Sequence, residues 1–209
     1  MKKLIFSLAA FFTFGFFGFA QLDVNKVSQR LANDTNFIKF IANIRKIPNE
    51  TNFNILNKIV GKKEISADDV TNFAVAFGFE NIQSAEEFDA STTPILKVLV
   101  ENYSLKNLES KELESLIEAA VALMPQDQIA ETFSNCKGRL SNCRIASMAI
   151  YTIEAVGCVS AGVGLGGVTW WCGGCLGASV GSVCIAAATA HYFSMMSDCN
   201  YNYQDCINN

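Results

Sequence analysis

Eight cysteines, at positions 136, 143, 158, 172, 175, 184, 199 and 206, carry the most chemistry in this chain. A thiol can cross-link, exchange with another disulfide or hold a metal. Cys172 and Cys175 form a CxxC pair, compatible with a redox site or with half a zinc site. Exchange chemistry of that type expects a strand–CxxC–helix context and a nearby base, and the local sequence offers neither strand nor base. Zinc needs two further ligands, yet His191 is the single histidine and there is no second CxxC. An even number of cysteines in an exported chain points instead to disulfides.

The spacing narrows the pairing. Six residues separate Cys136 from Cys143 and fourteen separate Cys143 from Cys158; fourteen separate Cys184 from Cys199 and six separate Cys199 from Cys206. The two halves mirror each other about Trp171. Residues that face each other across antiparallel helices keep a constant index sum, because both rise by about 1.5 Å per residue. At about 100° per residue, steps of seven and fifteen turn a side chain by only about −20° and +60°, so each arm keeps its cysteines on one face. The predicted pairs are Cys136–Cys206, Cys143–Cys199 and Cys158–Cys184, with Cys172–Cys175 closing at the tip. Helices ordinarily pack about 8–10 Å apart, whereas a disulfide needs Cα atoms about 4.4–6.8 Å apart. Ala146, Ser147, Ala155, Gly157, Ala161, Gly162, Gly177, Ala178, Gly181 and Ser182 are small enough to allow that approach.

Other candidate groups are sparse. His191 lacks catalytic partners in the sequence and reads as a packed or interfacial side chain. Glu86, Glu87 and Asp89 could act as a metal cluster or acid–base pair, but charge runs of this kind read as solvated loops. The sequons at Asn33, Asn49 and Asn102 matter only in a glycosylating host. No catalytic residues, metal site or cofactor are expected. Trp170 and Trp171, with Leu165 and Leu176, fall at the hairpin tip, where paired tryptophans suit either a core or a membrane interface.

The elements that position these groups divide the chain. Residues 1–20 read as a signal peptide: Lys2 and Lys3, then an uncharged apolar run, then Gly18-Phe19-Ala20 before the cleavage point. Residues 21–135 carry 11 Lys/Arg against 17 Asp/Glu, whereas residues 136–209 carry three of each and all the cysteines. The expected organisation is therefore an acidic helical domain over 21–130 and a Cys/Gly-rich apolar hairpin over 131–209. Neither region is basic, so nucleic acid is not an expected partner.

Helical periodicity runs through the acidic region. Phe37, Ile38, Phe40, Ile41 and Ile44 share a face; Phe53, Ile55, Leu56, Ile59 and Val60 share another, with Gly61 suited to a C-cap. Ser66 caps a helix through Val70, Phe73 and Phe77, which ends at Gly78. The acidic stretch Gly78–Phe88 reads as a linker, and Thr93-Pro94 as the N-cap and first residue of a further helix. Ser110 caps a run through Leu113, Leu116, Ile117 and Leu123, stopped by Pro125. Five or six short helices in a small bundle are expected, giving an all-α fold with a C-terminal disulfide-crosslinked antiparallel hairpin.

Residues 155–190 are 36 consecutive uncharged positions. As one helix this run reaches about 54 Å, too long for a hydrocarbon core of about 30 Å; as two arms each falls slightly short of a span. A soluble chain must cover such a hairpin, and its own acidic region is the expected cover. The stretches VGCVSAGVGLGGVTWWC and GCLGASVGSVC, followed by Cys199 and Cys206, resemble the halocin-type cysteine-rich bacteriocins, which are released from the C-terminal end of a longer exported precursor. The resemblance covers about 74 residues. It implies an antimicrobial hairpin acting on the lipid membrane of a target cell, with the N-terminal region as a pro- or immunity segment and no enzymatic activity. The alternative is a secreted or envelope structural or interaction protein in which the hairpin stays buried.

Overall fold

The computed structural model describes residues 23–47, 51–59, 66–124, 135–162 and 179–208. The expected signal peptide lies outside the described residues, as do Leu165, Trp170, Trp171, Cys172, Cys175 and Leu176. The described residues form helices α1 (Val24–Ala32), α2 (Thr35–Ile44), α3 (Phe53–Ile59), α4 (Ala67–Ala76), α5 (Ile82–Asn102), α6 (Ser110–Leu123), α7 (Cys136–Gly162) and α8 (Ser179–Asn208). A single 3-10 turn, Leu105–Asn107, joins α5 to α6, and no strand occurs among the described residues. The all-α fold read from periodicity is the fold of the chain.

Local chemistry sets most of the boundaries. Asp34 starts α2 by accepting from Asn36 N at 2.7 Å. Ser66 and Asp69 form a capping box on α4: the Ser66 hydroxyl accepts from Asp69 N at 3.2 Å, and Ser66 N donates to Asp69 Oδ2 at 3.1 Å. α4 stops as expected at Gly78, whose φ of 93° suits the residue that lacks a Cβ. α6 begins at Ser110, with Glu109 outside it as N-cap; Glu109 N donates to Glu112 Oε2 at 3.1 Å.

The boundary expected at Thr93-Pro94 is corrected. α5 starts twelve residues earlier, capped by Asn81, and runs through Pro94 without a break. Asn81 Oδ1 accepts from Ser84 N at 2.9 Å, a start signal hidden within the stretch read as a linker. Proline in a helix interior removes one hydrogen bond and costs about 3 kcal/mol. The buried row Ala85, Phe88, Thr92, Leu96 and Leu99 spans both sides of Pro94, and that continuous apolar contact overrides the local penalty. Glu86, Glu87 and Asp89 accordingly sit on a helix rather than in a loop, with Gln83 Nε2 donating to Glu87 Oε1 at 3.1 Å.

One contiguous core joins the acidic helices to the C-terminal pair. Phe37, Phe40 and Ile41 of α2, Phe73 of α4, Leu96 of α5 and Leu116 of α6 belong to the same cluster as Ile150, Tyr151 and Ile153 of α7. Every residue from Ile145 to Ile153 is buried, more than two turns without an exposed face. α7 is thus the axial helix: α8, α6, α2 and α5 all pack on it. Over this stretch the acidic helices and α8 enclose α7; the side chains of most of the uncharged run 155–190 lie outside the described residues. α8 forms part of the wall, burying Ala188, Tyr192, Met195, Met196 and Cys199 along one face.

Candidate functional site: the stapled helical hairpin

The C-terminal pair is an antiparallel hairpin closed by disulfides at its open end. Cys136–Cys206 and Cys143–Cys199 are bonded, with Cα separations of 5.8 Å and 5.7 Å. Both fall where disulfide geometry requires them and well inside ordinary helix spacing. Two successive bridges with one index sum fix the register of the two arms. The side chains of Cys158 and Cys184 lie outside the described residues, as does the Cys172–Cys175 pair.

Small and polar side chains line the close seam. Ser147 Oγ donates to Cys143 O at 2.9 Å and lies 3.5 Å from Cys199 Sγ. Arg144 Nη2 donates to Asn200 Oδ1 at 3.1 Å beside the second bridge. Farther along, Tyr151 and Tyr192 meet with ring centroids 5.4 Å apart. Phe77, the C-cap of α4, stacks on Tyr151 at 4.9 Å, and Phe53 of α3 packs against Phe193 at 4.8 Å. This aromatic cluster interlocks the hairpin with the acidic helices. Thr51 and Tyr192 share a hydroxyl hydrogen bond of 2.9 Å within it. Burial disfavours the charged phenolate, so Tyr192 is pushed up from 10.0 to about 12, against smaller opposing effects of Thr51 and the positive Arg144.

His191 is held at the junction of three helices. Its Nδ1 lies 2.9 Å from Glu154 Oε1 of α7, and its Nε2 lies 3.9 Å from Glu114 Oε2 of α6. Sequence reading took His191 as packed or interfacial and missed both partners. The signal for Glu154 was present: it and His191 bound the 36-residue uncharged run, and their indices nearly satisfy the mirror relation of the cysteines. Glu114 carried no such signal, because the docking of α6 on α7 is not encoded in spacing. One turn on, the Glu118 carboxyl is pushed above its usual range by burial and by the negative charge of Glu114.

A concavity of about 480 Å³ lies between the end of α2 and the start of α5, floored by Ile47, Phe79 and Phe88 and edged by Lys46, Glu80 and Glu87. It holds none of the cysteines and not the histidine. Among the described residues, no group of three or more His, Cys, Asp or Glu side chains is placed to hold a metal ion. Nor is any helix among the described residues long and apolar enough to cross a membrane. The two bridges fit an oxidising compartment. No protein-family model, curated protein or solved structure matches the chain.

Proposed function

We propose that the protein is exported and acts on the lipid membrane of a target cell through its C-terminal hairpin, in the manner of a cysteine-rich bacteriocin, with residues 21–130 as the cover that keeps it soluble. The observation that supports this reading is the burial of every α7 residue from Ile145 to Ile153 beneath α2, α5, α6 and α8. A helical stretch with no exposed face is poorly soluble alone and stable either in a shell or in lipid. The bridges keep the two arms paired when the shell is gone. The test compares dye release from anionic liposomes by the oxidised full chain and by the same chain cut at a protease site introduced between residues 125 and 134. The expected result is a latent full chain and leakage after cutting. No leakage and no growth inhibition of neighbouring strains in either form refutes the proposal.

A second reading has its own support. Tyr192 is buried among Phe53, Phe77 and Tyr151 and bonded to Thr51, so the hairpin and the shell share one core. On that basis the hairpin stays buried for the life of a secreted structural or interaction protein. Mass spectrometry of culture supernatant separates the two: a lone uncut species supports the second reading, and a discrete C-terminal fragment supports the first.

A further inference from the structure

The two bridges stand in different chemical surroundings. Cys199 is 1 % exposed and sits beside Met195 and Met196, which are also buried. Cys136 and Cys206 are half-buried at the open end of the hairpin. Past Cys199 no residue of α8 is fully buried, and Tyr201 and Ile207 are exposed. Cys136 is also the first residue of the 27-residue helix α7. Asn135 caps that end, its Oδ1 accepting from Gly138 N at 2.6 Å, and Lys137 adjoins the cysteine. Unpaired backbone N–H groups at a helix start and a neighbouring cation both stabilise a thiolate.

We infer that Cys136–Cys206 is an exchangeable disulfide, opened by dithiol reductants, while Cys143–Cys199 is a permanent staple. A thiolate of the dithiol attacks Cys206 Sγ, and the Sγ–Sγ bond breaks with its electron pair leaving on Cys136, whose thiolate the helix terminus favours. The second thiol of the reductant then attacks the mixed disulfide and expels the Cys206 thiolate. Both protein thiolates take up protons; the protein gains two electrons and two protons, and the dithiol becomes a cyclic disulfide. Cys143 is half-buried, but the same reaction at Cys143–Cys199 must either reach the enclosed Cys199 sulfur or leave a thiolate there, cut off from solvent with Ser147 Oγ 3.5 Å away, and burial opposes both. Opening the outer bridge frees the last turns of α8 while the seam inside Cys199 stays closed. This inference is independent of the membrane reading and holds in either function proposed above.

The test uses the full oxidised chain. Free thiols are first blocked with light iodoacetamide, the protein is titrated with dithiothreitol, and newly released thiols are trapped with the heavy reagent and mapped by peptide mass spectrometry. Heavy label is expected on Cys136 and Cys206 at reductant levels that leave Cys143 and Cys199 bonded; labels on the remaining cysteines are read separately. In the selectively opened protein at neutral pH, Cys136 should alkylate about tenfold faster than Cys206, and Lys137→Glu should narrow that ratio. Simultaneous opening of both bridges, inner opening first, or a Cys206 more reactive than Cys136 would each overturn the assignment.

Discussion

Replacing Tyr192 by phenylalanine separates two effects of one hydroxyl. The ring, 2 % exposed, keeps its packing against Phe53, Phe77 and Tyr151, so no cavity forms. At neutral pH the variant loses the bond to Thr51 and about 1 kcal/mol of stability. At alkaline pH the balance reverses. The folded-state phenol titrates near 12 instead of 10.0, so the native state holds its proton where the unfolded chain has lost it. Stability from this group is complete below pH 10 and is lost as pH rises through about 12, a total of about 3 kcal/mol. Tyr192→Phe removes that loss. Urea unfolding at a series of alkaline pH values, with thiol exchange quenched, should show wild type falling more steeply than the variant above pH 10, so that the two curves cross. Other titrating groups cancel in the difference. Parallel curves above pH 10, or a Tyr192→Phe variant as unstable at neutral pH as a ring deletion, would refute the account of a buried, proton-retaining hydroxyl.

Three further perturbations test the framework. Removing the inner bridge with Cys143→Ala and Cys199→Ala should cost about 2–5 kcal/mol in urea unfolding, since it releases a cross-link between residues 56 apart in sequence. Gly78→Ala should cost about 1–2 kcal/mol, because a Cβ is disfavoured at a φ of 93°, and Ser66→Ala about 1 kcal/mol through loss of the cap on α4. Both are checked by thermal unfolding. Glu118→Gln should stabilise slightly at neutral pH and have no effect below about pH 4: the folded carboxyl titrates above its unfolded value, so its stabilising contribution is present in acid and lost as pH rises. The side chain is only partly shielded from solvent, which limits the gain to about a few tenths of a kcal/mol by pH-dependent unfolding.

Signals that act over one or two turns were legible in the sequence. Ser66 and Gly78 bracket α4, and the amphipathic row of α2 buries Phe37, Phe40, Ile41 and Ile44. The mirror spacing of the cysteines is a longer-range signal, but helix geometry converts it into a register, and the bonded pairs Cys136–Cys206 and Cys143–Cys199 have that register. Pro94 misled because its local preference is strong, while the contacts that override it lie on other helices. Asn43 Nδ2, for example, reaches Thr92 Oγ1 at 3.3 Å across forty-nine positions. α1 left little trace in the pattern because its stripe is narrow: of its nine residues only Ser28, Leu31 and Ala32 are buried. Glu114 beside His191 was not readable, since three separate helices must dock before that pair exists.

The composition of the last third follows from two packing tasks on one helix. Cys143, Ser147, Tyr151 and Glu154, spaced by three and four, meet partners on α8. Near the bridges that face must be small, because a disulfide draws the backbones closer than ordinary side chains permit. The other faces of α7 look into the shell, and there Ile145, Met148, Ile150 and Ile153 are buried. A helix with one small face and several bulky apolar ones has no polar side, so its sequence lacks the amphipathic stripe that marks a surface helix. Charge flanks this buried stretch: Lys137, Arg139 and Arg144 precede it, and Glu154 follows it opposite His191 at the start of the uncharged run. Ala155, fully buried one residue past Glu154, tests the same demand for close approach: enlarging it should separate the arms more than enlarging any shell-facing residue, and the reformation of Cys143–Cys199 from the reduced chain should slow in proportion.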